Sequence, residues 1–118
     1  SELLQQLARV LKDSEAKDLK VMVVGHTDDR AVAKRAAREA YPSNFHLSAA
    51  RALAVADTLR KAGLSDDRLA VAGMGGHEPI AAGDSQRDRQ RNRRVEVFVM
   101  AREVPVVGWT ETIPSVYR

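Results

Sequence analysis

The chain has no cysteine, so disulfides and thiolate metal sites are excluded. Aromatic residues make up only 4% of its 118 residues, which leaves Leu, Val, Ile and Ala to build the core. No apolar run approaches the roughly 20 residues of a membrane-spanning helix. No signal peptide is visible, because the chain opens on a polar, helix-like pattern; Ser1 reads as a cut boundary, which leaves an anchor or export signal open. What is present suits one compact domain: 44% hydrophobic residues, and a net charge of +3 that is unevenly spread. Five arginines crowd around one aspartate in RDRQRNRR, residues 87–94, a composition that attracts anions.

Leu3, Leu4, Leu7, Val10 and Leu11 recur at spacings of three and four, which predicts an amphipathic helix over 2–17. The β-branched run 20–25 predicts a strand ending in glycine. Residues 30–40, rich in Ala and Arg, predict a short helix stopped near Tyr41 by Pro42. A stronger helix is expected over 48–62, with Ser48 or Asn44 as its cap, Ala52, Val55, Ala56 and Leu59 facing inward, and Gly63 just past its end. Residues 64–67 read as a turn and 68–72 as a strand, with Leu69 and Val71 on one face. GMGGHEP is a loop by composition, and 84–91 a short polar helix. Alternation of Val95, Val97 and Val99 with Glu96, Phe98 and Met100 is the clearest strand signal in the chain. This order predicts an α/β layer (an α+β sandwich), with helices packed on one face of a small mixed sheet. Residues 1–102 are expected to form the domain, and 103–118 an extended C-terminal extension.

VGHTDD, residues 24–29, sets the functional question, since a histidine, a threonine and two carboxylates crowd a strand end. His26 and Asp28 would share a side if the strand continued, and His46 or His77 could join them. No two histidines have the i, i+4 spacing of a helical zinc site, so no metal and no cofactor is expected. Ser48, His46 and Asp28 invite a triad reading, but Ser48 lacks a G-x-S-x-G elbow, and a capping role explains it. The arginine run alone would give only salt-sensitive, non-specific binding of nucleic acid or another polyanion, and no aromatic platform is interleaved with it. The remaining reading is recognition of an amino-acid head group, which needs a carboxylate for the ammonium and an arginine for the carboxylate. Asp28, past the strand end, and Arg51, expected in the first turn of the next helix where its charge opposes the dipole, can converge on one rim. A plain Asp28–Arg51 salt bridge explains the same pair.

VMVVGHTDD, SNFHLSAARALAVADTLRKAGL, RLAVAGMGGHEPIA and RDRQRNRRVEVFV, in that order over residues 3–100, resemble the OmpA/MotB-like (OmpA C-terminal-like) peptidoglycan-binding domain family. Four independent blocks make the resemblance specific, and the insert before YPSN looks more like the flagellar-stator branch. The resemblance implies a βαβαβ-type fold, usually with a strand before the first helix that this chain starts too late to include. It implies non-covalent binding of peptidoglycan peptide stems, with no catalysis. Asp28 and Arg51 match the pair that grips diaminopimelate, Asn44 and Leu47 match groove residues, Thr27 flanks the aspartate, and Arg93 matches a basic position beside it. It further implies an envelope or periplasmic setting and a membrane-associated full-length protein, with peptidoglycan rather than nucleic acid as partner and a homodimer as one open arrangement. A stator-type anchor and a polyanion-binding module stand as the alternative functions.

Overall fold

The computed structural model describes residues 1–101 and 108, so that, Gly108 apart, the expected extension 103–118 lies outside the described residues. Four helices, α1 (Glu2–Leu11), α2 (Arg35–Ala40), α3 (Asn44–Lys61) and α4 (Gln86–Asn92), alternate with three strands, β1 (Leu19–Gly25), β2 (Leu69–Gly73) and β3 (Val95–Ala101). The sheet order is β2-β1-β3. β1 runs parallel to β2, with Val21 opposite Leu69 and Gly25 opposite Gly73. It runs antiparallel to β3, with Leu19 opposite Ala101 and Gly25 opposite Val95. A mixed sheet carrying its helices on one face is the architecture the sequence predicts.

The core forms where α1 and α3 meet one face of this sheet: Ala8, Leu11, Val21, Val23, Ala52, Ala56, Leu59 and Leu64 are buried together. Residues 4, 7, 8 and 11 make the inward stripe of α1, while Leu3 and Val10 fall on its flank and are exposed, contrary to the sequence reading. The first helix is also shorter than expected. It stops at Leu11, and a separate 3₁₀ turn covers Ser14–Ala16. Arg68 fixes that stop: buried, it donates to the carbonyls of Leu11, Ala16 and Leu19. A guanidinium thus satisfies a terminal carbonyl of α1 and complements its dipole. Consequently Arg68 belongs to a 3₁₀ turn, Asp66–Arg68, and β2 begins one residue later than predicted.

The largest correction concerns α3. Its cap is Ser43, whose side chain accepts from the His46 amide, and the helix starts at Asn44 rather than Ser48. Ser48 is fully buried inside the helix; its hydroxyl donates to the Phe45 carbonyl and accepts from the Gly75 amide. Arg51, seven residues on from Asn44, is therefore not in the first turn, and the dipole argument made for it does not apply. Gly63 takes φ +106° past the end of α3, as a C′ glycine should. Residues 30–34 are loop, so α2 starts five residues later than expected, and α4 starts two later.

Two glycines allow the ends of β1 and β2 to touch α3. A Cβ on Gly25 would lie 1.9 Å from the Ser48 carbonyl oxygen, and one on Gly73 2.7 Å from the Ala49 nitrogen. Since these glycines are register partners, both strand ends abut the same stretch of α3. That contact brings the loop after β1 beside the face of α3 that carries Leu47 and Arg51.

Candidate functional site

β1 ends at Gly25, and the next three residues are all buried. The His26 amide donates to the Arg94 carbonyl and the Thr27 amide to the Gly75 carbonyl, which ties the loop to both flanking segments. The Thr27 hydroxyl donates to the Asp28 carbonyl, at 2.8 Å. Gly76 leaves room for that carbonyl, since a Cβ there would come within 2.4 Å of it. Asn44 closes the other side by donating from Nδ2 to the Arg30 carbonyl, at 2.9 Å.

The carboxylate held in this way is 7% exposed as a residue. Its Oδ1 accepts from the Arg30 amide at 3.0 Å, and its Oδ2 accepts from Arg93 Nη1 at 2.6 Å. The Arg30 guanidinium stands 3.6 Å away. Burial alone would raise the Asp28 pKa, but the amide bond, the Arg93 hydrogen bond and the two guanidinium charges outweigh it and hold the group below the ordinary carboxylate value. Asp28 is therefore a fixed negative charge at neutral pH.

Thr27, Asp28, Asn44, Leu47, Arg51 and Arg93 all line one cavity of about 440 Å³. Residues 30–34 form its other wall, and the sequence reading missed them. Asp28 and Arg51 share this cavity without forming a salt bridge with each other. The partner of Asp28 is Arg93, 65 positions away, which no local pattern could have indicated. Among the described residues the Arg51 side chain makes no hydrogen bond or ion pair, and its Nη1 is buried without a partner. The cavity thus presents a compensated carboxylate on one side and an uncommitted guanidinium on the other.

The competing readings meet specific obstacles. Ser48 is inaccessible, and His46 pairs through Nδ1 with Ser43 Oγ at 2.7 Å, so the three groups of the supposed triad do not meet. His26 and Asp28 do not share a side: His26 Nε2 is 2.5 Å from Glu96 Oε1, and Asp28 faces Arg93. No cluster of three or more potential metal ligands occurs among the described residues. Within the arginine run, Arg89 contacts Asp29, Arg93 contacts Asp28, and Arg94 contacts Glu96. Only Arg87 and Arg91 of that run have no such partner among the described residues, so most of the anticipated basic surface is folded inward.

Fold and cavity together define a small α/β domain whose pocket is lined by an ion-paired carboxylate and an arginine without a partner among the described residues. Residues 1–93 match the OmpA family model, and the chain belongs to that family. It is 36% identical over 98 residues to the peptidoglycan-binding protein ArfA of Mycobacterium tuberculosis; the match covers 83% of this chain but 27% of ArfA. Among solved structures it is similar to the C-terminal domain of Helicobacter pylori MotB, with a TM-score of 0.70, 28% identity, and coverage of 85% of this chain and 72% of that one. It is also similar to the cell wall anchor of the type VI secretion system from Pseudomonas aeruginosa, with a TM-score of 0.66, 40% identity, and coverage of 85% and 65%.

Proposed function

We propose that this domain binds the diaminopimelate side chain of peptidoglycan peptide stems, non-covalently and without catalysis, and so anchors an envelope protein to the cell wall. The observation that carries this reading is the pairing in one cavity of an ionised Asp28 with an Arg51 that has no partner of its own. The ligand's ammonium meets Asp28 and its carboxylate meets Arg51; Asn44 and Thr27 hold the loop, and Leu47 supplies apolar wall. Relatives whose names state peptidoglycan binding or cell-wall anchoring support the same reading. The full-length protein is then envelope-associated and held at a membrane, with residues 1–102 as the wall-binding unit and 103–118 as an appended segment. Each contact, partly desolvated, contributes ~1.5–3 kcal/mol as a charged hydrogen bond, so affinity for one stem is modest and the repeating wall supplies avidity.

Calorimetric titration with a soluble muropeptide tests the proposal. Wild type is expected to bind, with Asp28→Ala and Arg51→Ala each losing at least about tenfold, the range for a charged hydrogen bond. Unchanged binding in both variants removes the pair from the mechanism. A stator-type anchor is the second reading, favoured by the similarity to MotB domains. If it holds, Arg51→Ala in the native gene abolishes swimming as well as wall binding; intact motility excludes it.

A further inference from the structure

Gly25 opposite Val95 is the last register pair of β1 and β3, and the His26 amide extends the ladder by one bond to the Arg94 carbonyl, at 2.8 Å. From there the chains part, one carrying Asp28 and the other coming from Arg93. The His26 side chain points away from the zwitterion cavity, which neither it nor Glu96 lines. It joins Val24, Glu96 and Phe98 in a separate cavity of about 430 Å³. Those residues alternate with the core-facing Val23 and Val97, so this cavity lies on the face of the sheet opposite the core. There His26 is 3% exposed, and its Nε2 stands 2.5 Å from Glu96 Oε1. Arg94 Nη2 steadies that carboxylate at 3.4 Å and donates to the Glu78 carbonyl at 2.9 Å. The imidazole adds little to stability. Its contact with Glu96 is short but not aligned as a hydrogen bond, and Nδ1 is buried without a partner. Replacing a buried polar pair by apolar groups of similar volume is often neutral or stabilising. What the contact supplies is position: it braces the loop that carries Asp28 against the strand that follows Arg93, where the backbone ladder ends.

We propose that His26 and Glu96 are positioning residues for ammonium recognition: their contact holds Asp28 where it meets the ligand's ammonium, and neither of them touches the ligand. This rests on the zwitterion reading above and adds the part of the protein that sets its carboxylate side. Arg51 stands on α3, outside the braced loop, so recognition of the ligand's carboxylate does not depend on the brace.

The test titrates two peptides calorimetrically into the whole chain: alanyl-γ-glutamyl-diaminopimelate, and its analogue with 2-aminopimelate, which keeps the side-chain carboxylate and lacks the ammonium. Wild type should favour the diaminopimelate peptide about tenfold, the effect of one charged hydrogen bond. His26→Leu and Glu96→Leu should each cut that preference to about threefold or less, while affinity for the aminopimelate peptide stays within about twofold. The two variants approach the brace from its buried and its part-exposed end, and His26→Leu leaves Glu96 paired with Arg94. In an Asp28→Ala background, His26→Leu should change affinity for the diaminopimelate peptide by less than about twofold, because it acts through Asp28. A preference that stays at wild-type strength in the folded variants overturns the proposal. So does an equal loss for both peptides, which marks a merely structural role, or a further loss in the Asp28→Ala background. If wild type does not prefer the diaminopimelate peptide, the pairing of Asp28 with the ammonium fails, and this inference with it.

Discussion

Arg51→Met should strengthen the fold and weaken the function, because folding makes no use of the guanidinium. The arginine lines the cavity with Nη1 buried and unpartnered, and its side chain makes no hydrogen bond or ion pair among the described residues. An unsatisfied buried polar group costs ~1–3 kcal/mol. Methionine keeps the unbranched stem and its helix propensity while removing the unsatisfied donor. Some of the guanidinium remains hydrated, which reduces the gain to ~0.5–1 kcal/mol. For a domain of this size that is a rise in Tm of roughly 2–6 °C. Binding moves the other way: loss of the charged hydrogen bonds to a ligand carboxylate, worth ~1.5–3 kcal/mol, weakens affinity about tenfold or more. Urea denaturation and muropeptide calorimetry on the same preparations read both effects. A stability loss above ~1 kcal/mol would mean the fold depends on the guanidinium, and that result would sink the reasoning. Unchanged affinity would refute the functional half.

Asp28→Asn should destabilise at neutral pH and lose that effect in acid. A carboxylate whose folded pKa is depressed contributes stability that is fully present above its unfolded value of about 3.9 and is lost as pH falls through the folded value. Urea midpoints of wild type and variant should therefore differ by a constant amount above about pH 5 and draw together only as pH falls below about 4 through the lower folded value; a gap that does not narrow below about pH 4 contradicts a role for the charge. Ser48→Ala should cost ~1–3 kcal/mol, since it strands the Gly75 amide that the buried hydroxyl satisfies. The folded variant should retain wall binding in a sacculus pull-down, and loss of binding with stability intact would reassign Ser48 to the ligand.

Where backbone periodicity carried the information, the sequence was readable. β3 was legible from alternating valines, and the inner stripe of α3 from Ala52, Ala56 and Leu59. What failed were local choices settled by distant contacts. Ser48 and Asn44 both look like caps, yet the cap is Ser43; packing against Gly25 and Gly73, which buries Ser48, makes the helix begin earlier. Residues 30–34 have helix-forming composition, but Asp28 holds the Arg30 amide and Asn44 holds the Arg30 carbonyl, so α2 starts only after the loop. Arg68 reads as an ordinary strand flank until the carbonyls of Leu11, Ala16 and Leu19 converge on it. The six candidate residues do line one cavity, although Arg51 lies beyond the first turn of α3, where the helix dipole does not act on it. Family resemblance brought in Arg93 as a basic position beside Asp28, and the hydrogen bond between them is seen in three dimensions.

That contact also bears on how a ligand is selected. Asp28 is already hydrogen-bonded within the protein by Arg93 and by the Arg30 amide. An arriving ammonium therefore does not rescue a bare charge; it joins or displaces a guanidinium. Monofunctional amines compete poorly, because they weaken an existing ion pair and return only one of similar strength. A zwitterion does better, since its carboxylate engages Arg51, whose donor has nothing to give up. Whatever Asp28 loses in sharing is recovered at Arg51, so the cavity should discriminate for ligands carrying both charges at one carbon and against those carrying either alone. On the proposed function, specificity comes from the asymmetry between a satisfied carboxylate and an unsatisfied guanidinium.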